Sequence, residues 1–150
     1  MSDMINDISV FGTEVTIVAV PTYPVGITLT QFADDVAPIT LEDMQISDDA
    51  MGANGDMISW KQPLPIRPTL GMIPGSDDDK KLRVLFDLNR VEKGKVVQND
   101  VITMTIRYSN GTSKTLSGGQ CRQYKPGYGQ GTSGRMESSQ YTFSFAKISA

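Results

Sequence analysis

A chain of 150 residues has the length of one ordinary domain, enough to bury a core without metals or disulfides. One cysteine, Cys121, and no histidine exclude an intramolecular disulfide, a Cys-based zinc cluster and any Ser-His or Cys-His nucleophile pair. The net charge of −3 argues against a basic nucleic-acid surface, the first residues lack the pattern of a signal peptide, and no apolar run nears the ~20 residues that span a bilayer.

Val15 to Val20 is dense in β-branched residues and stops at Pro21, which predicts a strand. Pro21 to Pro24 reads as a turn. Val25 to Thr30 alternates apolar with small or polar residues, as a half-buried strand does. Gln31 to Pro38, with Asp34 and Asp35, reads as a loop. Leu41 to Ile46 is a short strand candidate. Ser47 to Asp56 gathers Asp48, Asp49, Gly52, Asn54 and Gly55, all turn formers, and reads as a loop. Met57 to Trp60 predicts another short strand. Pro63, Pro65 and Pro68 then confine the chain to an edge or an extended connector. Thr69 to Ile73 can pair briefly after them.

The clearest helix signal starts at Ser76, an N-cap residue. Asp77, Asp78 and Asp79 place negative charge on the positive end of the helix dipole. Leu82, Leu85 and Phe86 fall three and four apart and form one apolar stripe, which Val91 can extend. Arg90 and Lys93 suit the C-terminal end and Gly94 suits a terminator, so the helix is expected over about 77–92.

Val101 to Tyr108 alternates cleanly. Thr103, Thr105 and Arg107 share one face with Val101; Ile102, Met104 and Ile106 share the other with Tyr108. Asn110-Gly111 suits a type I′ hairpin turn. Ser113 to Leu116 returns and is expected to end at Gly118-Gly119. Tyr124 to Arg135, with Gly127, Gly129, Gly131 and Gly134, reads as a long loop. Met136 to Ile148 reads as a final strand with Tyr141, Phe143 and Phe145 facing inward. Strands, one helix, then strands predict one mainly β domain over residues 1–150: an antiparallel β-sandwich or barrel with one flanking α-helix.

No constellation reads as catalytic, and no metal or cofactor is expected. Asp77 to Asp79 is explained by the helix dipole. Asp48 to Asp56 lacks the alternation and terminal Glu of an EF-hand loop. Asp34, Asp35, Glu42 and Asp43 have no spacing that builds a hydrolytic pocket, so they read as solvated charge. The glycines before Met136 precede a strand, whereas a phosphate-binding loop opens a helix. Arg122, Tyr124, Lys125 and Tyr128 mix basic and aromatic groups near that loop, and contact with a neighbouring subunit is the favoured reading over nucleic acid. The eight methionines suit core gaps and adaptable interfaces alike. Cys121 reads as incidental.

Several segments together resemble the tail tube proteins of contractile-tailed phages. They are Ile27-Thr-Leu-Thr-Gln-Phe-Ala-Asp-Asp35, Met51-Gly-Ala-Asn-Gly-Asp-Met57 with Trp60, and Ile73-Pro-Gly-Ser-Asp-Asp-Asp79. Further carriers are Asn89-Arg90 with Gly94-Lys95, Asp100-Val-Ile-Thr-Met-Thr105, and Gly134-Arg135 before Tyr141-Thr-Phe-Ser-Phe145. The resemblance implies a non-enzymatic virion subunit, assembled in the host cytoplasm, whose hexameric rings stack into a hollow tube for DNA passage. Its implied partners are further copies of itself and the tail sheath, baseplate and tail terminator proteins, with no membrane.

On this reading Asp48, Asp49 and Asn54 on one loop, and Tyr124, Tyr128 and Arg135 on the glycine-rich one, are candidate inter-subunit residues. Thr103, Thr105 and Arg107 are candidate lumen-facing residues, although Arg107 departs from an acidic bore. One alternative is a baseplate or tube-initiator protein of the same fold. Another is a non-assembling β-sandwich binding module, with Trp60, Tyr124 and Tyr128 as a stacking platform for sugar.

Overall fold

The computed structural model describes residues 11–131 and 134–149. These residues form β1 Glu14–Val20, β2 Tyr23–Leu29, β3 Ile39–Thr40, β4 Ser47–Met51, β5 Met57–Lys61, β6 Thr69–Met72, α1 Asp77–Leu88, β7 Val101–Arg107, β8 Ser113–Tyr124, β9 Ser139–Ser144 and β10 Lys147–Ser149. The fold is mainly β with one helix, as expected. Seven strands run antiparallel in the order β2-β1-β7-β8-β9-β6-β3, and β10 adds to β8. Among the described residues the sheet does not close into a barrel, because its two end strands, β2 and β3, do not pair with each other.

Strand β8 joins the two halves of the sheet. Its first residues pair with β7 and β10, and Gln120 onward pairs with β9. Gly118-Gly119, expected as an end, lies inside the strand. Ile102 pairs with Gly119 and Met104 with Leu116, so three steps on β8 oppose two on β7. That extra residue is a β-bulge, which bends the strand. Gly118 takes φ +66°, and Gly119 has no room for a Cβ, which would meet the Phe145 ring at 2.3 Å. The expected final strand is likewise two strands. At Phe145 the chain exchanges backbone bonds with Ile66, and Ala146 then donates to the Ser117 carbonyl.

The inner faces of both halves share one core with the helix. Val15, Ile17, Leu29, Ile102, Met104 and Ile106 come from one side; Leu70, Met72, Tyr141, Phe143 and Phe145 from the other. Leu82, Leu85 and Phe86 of α1 bury between them. The Phe86 ring centroid lies 5.0–5.2 Å from those of Phe143, Tyr141 and Tyr124.

Ser76 caps α1 as expected, accepting from the Asp79 N–H at 3.2 Å. The three aspartates fill the first turn as the dipole reading expects, but only Asp77 is exposed, and Asp78 and Asp79 are buried. The Asp78 carboxylate accepts from the Thr30 and Gln31 N–H groups at 2.8 and 3.0 Å. The Asp79 carboxylate accepts from the Tyr141 hydroxyl at 2.6 Å and the Gly75 N–H at 3.0 Å. A buried carboxylate is tolerated only when bonded in this way. At the other end α1 stops at Leu88, four residues before the expected end. Asn89 donates to the Leu85 carbonyl and the Asp100 carboxylate, and accepts from the Asp100 N–H. That pairing ties the helix end to the start of β7 and leaves Val91 exposed.

Candidate assembly interface

Among the described residues, strands β4 and β5 pair only with each other and form a two-stranded arm outside the main sheet. The expected strand at 41–46 is absent, and the expected loop at 47–56 is strand as far as Met51. A free ribbon has no core face, so its sequence carries no alternation to reveal it. Asp48 and Asp49 therefore sit on β4, opposite Trp60 and Ser59. Asn54 sits in the turn, where Gly52 N–H donates to Asp56 O, Gly55 N–H donates to Gly52 O, and Gly55 takes φ +88°.

The β7–β8 hairpin turns the same way. Tyr108 N–H donates to Thr112 O, and Gly111 N–H donates to Tyr108 O with Gly111 at φ +89°. Among the described residues no side-chain-bearing residue has positive φ. Asn110-Gly111 is therefore not the expected type I′ turn, which needs positive φ at both positions, but a three-residue loop closed by a left-handed glycine.

The arm is rich in exposed apolar groups. Cross-strand pairing puts Ala50, Ile58 and Trp60 on one face, and Met51 and Met57 opposite one another near the tip on the other. Met51, Met57 and Ile58 are each more than half exposed and Trp60 is 47% exposed. Exposed apolar surface gathered on one projecting element marks an interaction site, and a lone two-stranded hairpin is marginally stable in water.

The glycine-rich segment, expected as a long loop, is tied down by side chains around it; its residues 132 and 133 lie outside the described residues. Arg83 of α1 donates to the Lys125 and Gly127 carbonyls at 2.8 and 3.3 Å and to Ser139 Oγ at 3.1 Å. Its guanidinium also stacks over the Tyr128 ring at 4.3 Å. Tyr124 donates to the Asp87 carboxylate and packs on Phe86. Arg135 pairs with Asp34 at 2.8 Å and holds its carboxyl below the usual range. Ser138 donates to Asp35. Tyr124 and Tyr128 are thus engaged around α1, whereas Trp60, the third residue of the binding-module alternative, stands on the arm. Burial pushes the Cys121 thiol up to about 12, with Asp100 adding to the shift, which leaves it unreactive.

Thr103 and Thr105 lie on the outer face of the sheet, opposite the buried Ile102, Met104 and Ile106. Register extends this face in a way no single strand reveals. Thr28 pairs with Thr16, Thr16 with Thr105, Thr105 with Thr115, and Thr115 with Ser149. A row of hydroxyl residues thus crosses five strands. Arg107, at one end of β7, is the register partner of Glu14, so opposite charges face each other at the margin. Among the described residues no three His, Cys, Asp or Glu side chains converge as metal ligands, and no helix is long and apolar enough to cross a membrane.

Comparison with known proteins gives a family and a fold. No curated protein sequence matches the chain. Among solved structures, the chain is similar to the PVC sheath/tube terminator of an extracellular contractile injection system in its extended state. The TM-score is 0.58 at 14% identity, covering 99% of this chain and 100% of that one. A chain from the six-fold symmetrised baseplate of the anti-feeding prophage gives a TM-score of 0.53 at 9% identity, covering 99% and 96%. At these identities the likeness is one of fold. A family model described as tail fiber protein gp32 matches residues 6–149, nearly the whole length, and the chain therefore belongs to the tail fiber protein gp32 family.

Proposed function

We propose that this protein is a structural, non-enzymatic subunit of a contractile phage-type tail, and that it sits at an end of the tube, as a terminator or baseplate component. The carrying observation is the β4–β5 arm, on which Met51, Met57, Ile58 and Trp60 stay exposed among the described residues. Two further features favour an end position over the repeating tube subunit suggested by the tail-tube resemblance. The fold is shared across nearly the full chain with a tube terminator and a baseplate chain, and the family is described by a tail role other than the tube.

In this reading the subunits close into a six-membered ring through heterologous contacts. The partners are further copies, the tube, the sheath and the baseplate, and the place of action is the virion tail. The hydroxyl face of β1, β2, β7 and β8 suits the lumen, because it offers passing DNA few cations to bind. Counting copies per tail by quantitative mass spectrometry, with negative-stain microscopy of the purified protein, tests the proposal. Closed rings and six or twelve copies per tail support it. Hundreds of copies return the protein to the tube, rod-like trimers make it a fibre subunit, and monomers at high concentration sink the assembly reading.

A further inference from the structure

At the root of the arm the half-buried Arg67 has a buried Nε with no partner among the described residues. The ribbon stays paired as far as Ile46 and Gln62, where the Gln62 N–H donates to the Ile46 carbonyl at 3.0 Å. The two legs then part around a cleft of about 290 Å³, lined by Glu42, Asp43, Gln45, Gln62, Leu64 and Arg67 among others. Backbone bonds pin the segment that carries Arg67. Ile66 exchanges bonds of 2.9 and 2.8 Å with Phe145, and the Pro68 carbonyl accepts from Phe143 at 3.1 Å. The Arg67 Nε is buried without an acceptor. Among the described residues no ion pair includes Arg67, although Glu42 and Asp43 line the same cleft and are exposed. Arg83 makes the contrast: its Nε also lacks a partner, but its terminal nitrogens serve two carbonyls and a hydroxyl. A buried guanidinium N–H left without an acceptor is costly unless one arrives.

We propose that this cleft seats a carboxylate from a second copy of the chain, with Arg67 as its fork-shaped partner. The inference rests on the assembly reading above, because the cleft is continuous with the root of the arm that would dock there. Glu42 and Asp43 line the same cleft and disfavour a free anion, so the site favours an acid held in place by a docked chain. Arg67 then acts in association and contributes little to the fold of the single chain.

Sedimentation velocity across a concentration series, with thermal melts of the dilute monomer, tests this for wild type, Arg67→Met, Arg67→Lys and Glu42→Gln/Asp43→Asn. The expected result is a rise of at least about tenfold in the half-assembly concentration for Arg67→Met, a smaller rise for Arg67→Lys, and unchanged monomer melting in all variants. Arg67→Met assembling like wild type overturns the seat and leaves the assembly reading intact. A drop in monomer melting for Glu42→Gln/Asp43→Asn also overturns it, since those acids would then serve Arg67 within one chain. A wild type that stays monomeric throughout fails the assembly reading itself.

Discussion

Gly119→Ala places a single methyl group at the joint between the two halves of the sheet. Its Cβ would lie 2.3 and 2.4 Å from two carbons of the Phe145 ring and 3.0 Å from the Ile102 carbonyl oxygen. Gly119 is not among the positive-φ glycines, so backbone strain adds nothing and crowding accounts for the whole effect. The Phe145 ring is 1% exposed and sits 6.0 Å from the Phe143 ring, which leaves it little freedom to retreat. Overpacking a filled core by one methyl costs about 1–3 kcal/mol. At roughly 2–4 °C per kcal/mol for a chain of this size, the midpoint should fall by about 2–12 °C.

Urea unfolding followed by circular dichroism reads the loss as a lower midpoint at constant slope. Adding Phe145→Leu should return part of the loss, so that the two changes are not additive. Gly118→Ala serves as the control. Its Cβ meets only Ala146 at 3.4 Å, and its cost comes from φ +66°, which Phe145→Leu cannot relieve. A Gly119→Ala protein within about 0.5 kcal/mol of wild type, or strict additivity with Phe145→Leu, refutes the steric account.

Leu85→Ala and Phe86→Ala remove fully or nearly fully buried side chains, and each should cost about 2–5 kcal/mol in chemical denaturation. Assembly should then fail because the subunit unfolds, so restoring the fold with a stabilising osmolyte should restore it. Met57→Ser/Trp60→Ser is expected to do the reverse, leaving monomer melting near wild type and abolishing assembly in sedimentation, since both side chains lie on the exposed arm. Burial first, and then the bond to Asp79, push the Tyr141 phenol well above its usual range. The unfolded phenol ionises near pH 10 while the folded one keeps its proton, so this contribution is intact below about pH 10 and is lost as pH rises further. Tyr141→Phe should flatten the alkaline decline without abolishing it, because Tyr23 and Tyr124 are raised too. An unchanged alkaline slope would show that Tyr141 is not the group responsible.

What the sequence reveals follows from how far each cause reaches along the chain. The start of α1 is legible because the cap at Ser76 and the stripe of Leu82, Leu85 and Phe86 act within a few residues. Its end is not, because Asn89 leaves the helix for Asp100, eleven positions away. Asp78 and Asp79 look like surface charge until Thr30, Gln31 and Tyr141 are brought to them by the fold. Alternation marks β7 because one of its faces is buried, and it says nothing of β4, which has no buried face. The segment carrying Asp48, Asp49 and Asn54 reads as a turn-rich loop, because a ribbon without a buried face leaves no alternation to mark it. Tyr124 and Tyr128 looked equally available, and their engagement with Phe86 and Arg83 depends on α1 packing beside β8. Arg67 gave no local signal among the three prolines around it.

The arm also bears on when assembly can start. A two-stranded ribbon that pairs with no other strand among the described residues has little to offset the conformational entropy of holding it straight. In a free subunit that ordering is nearly uncompensated, and under the proposed assembly a docking site on another copy would supply what the ribbon lacks. Each joining event therefore carries an entropic toll that two encountering monomers meet poorly and that a preformed surface with several contacts meets easily. The expected behaviour is a lag in solution followed by rapid growth on a template, with stocks of newly made subunits remaining dispersed until a tail end is ready to receive them.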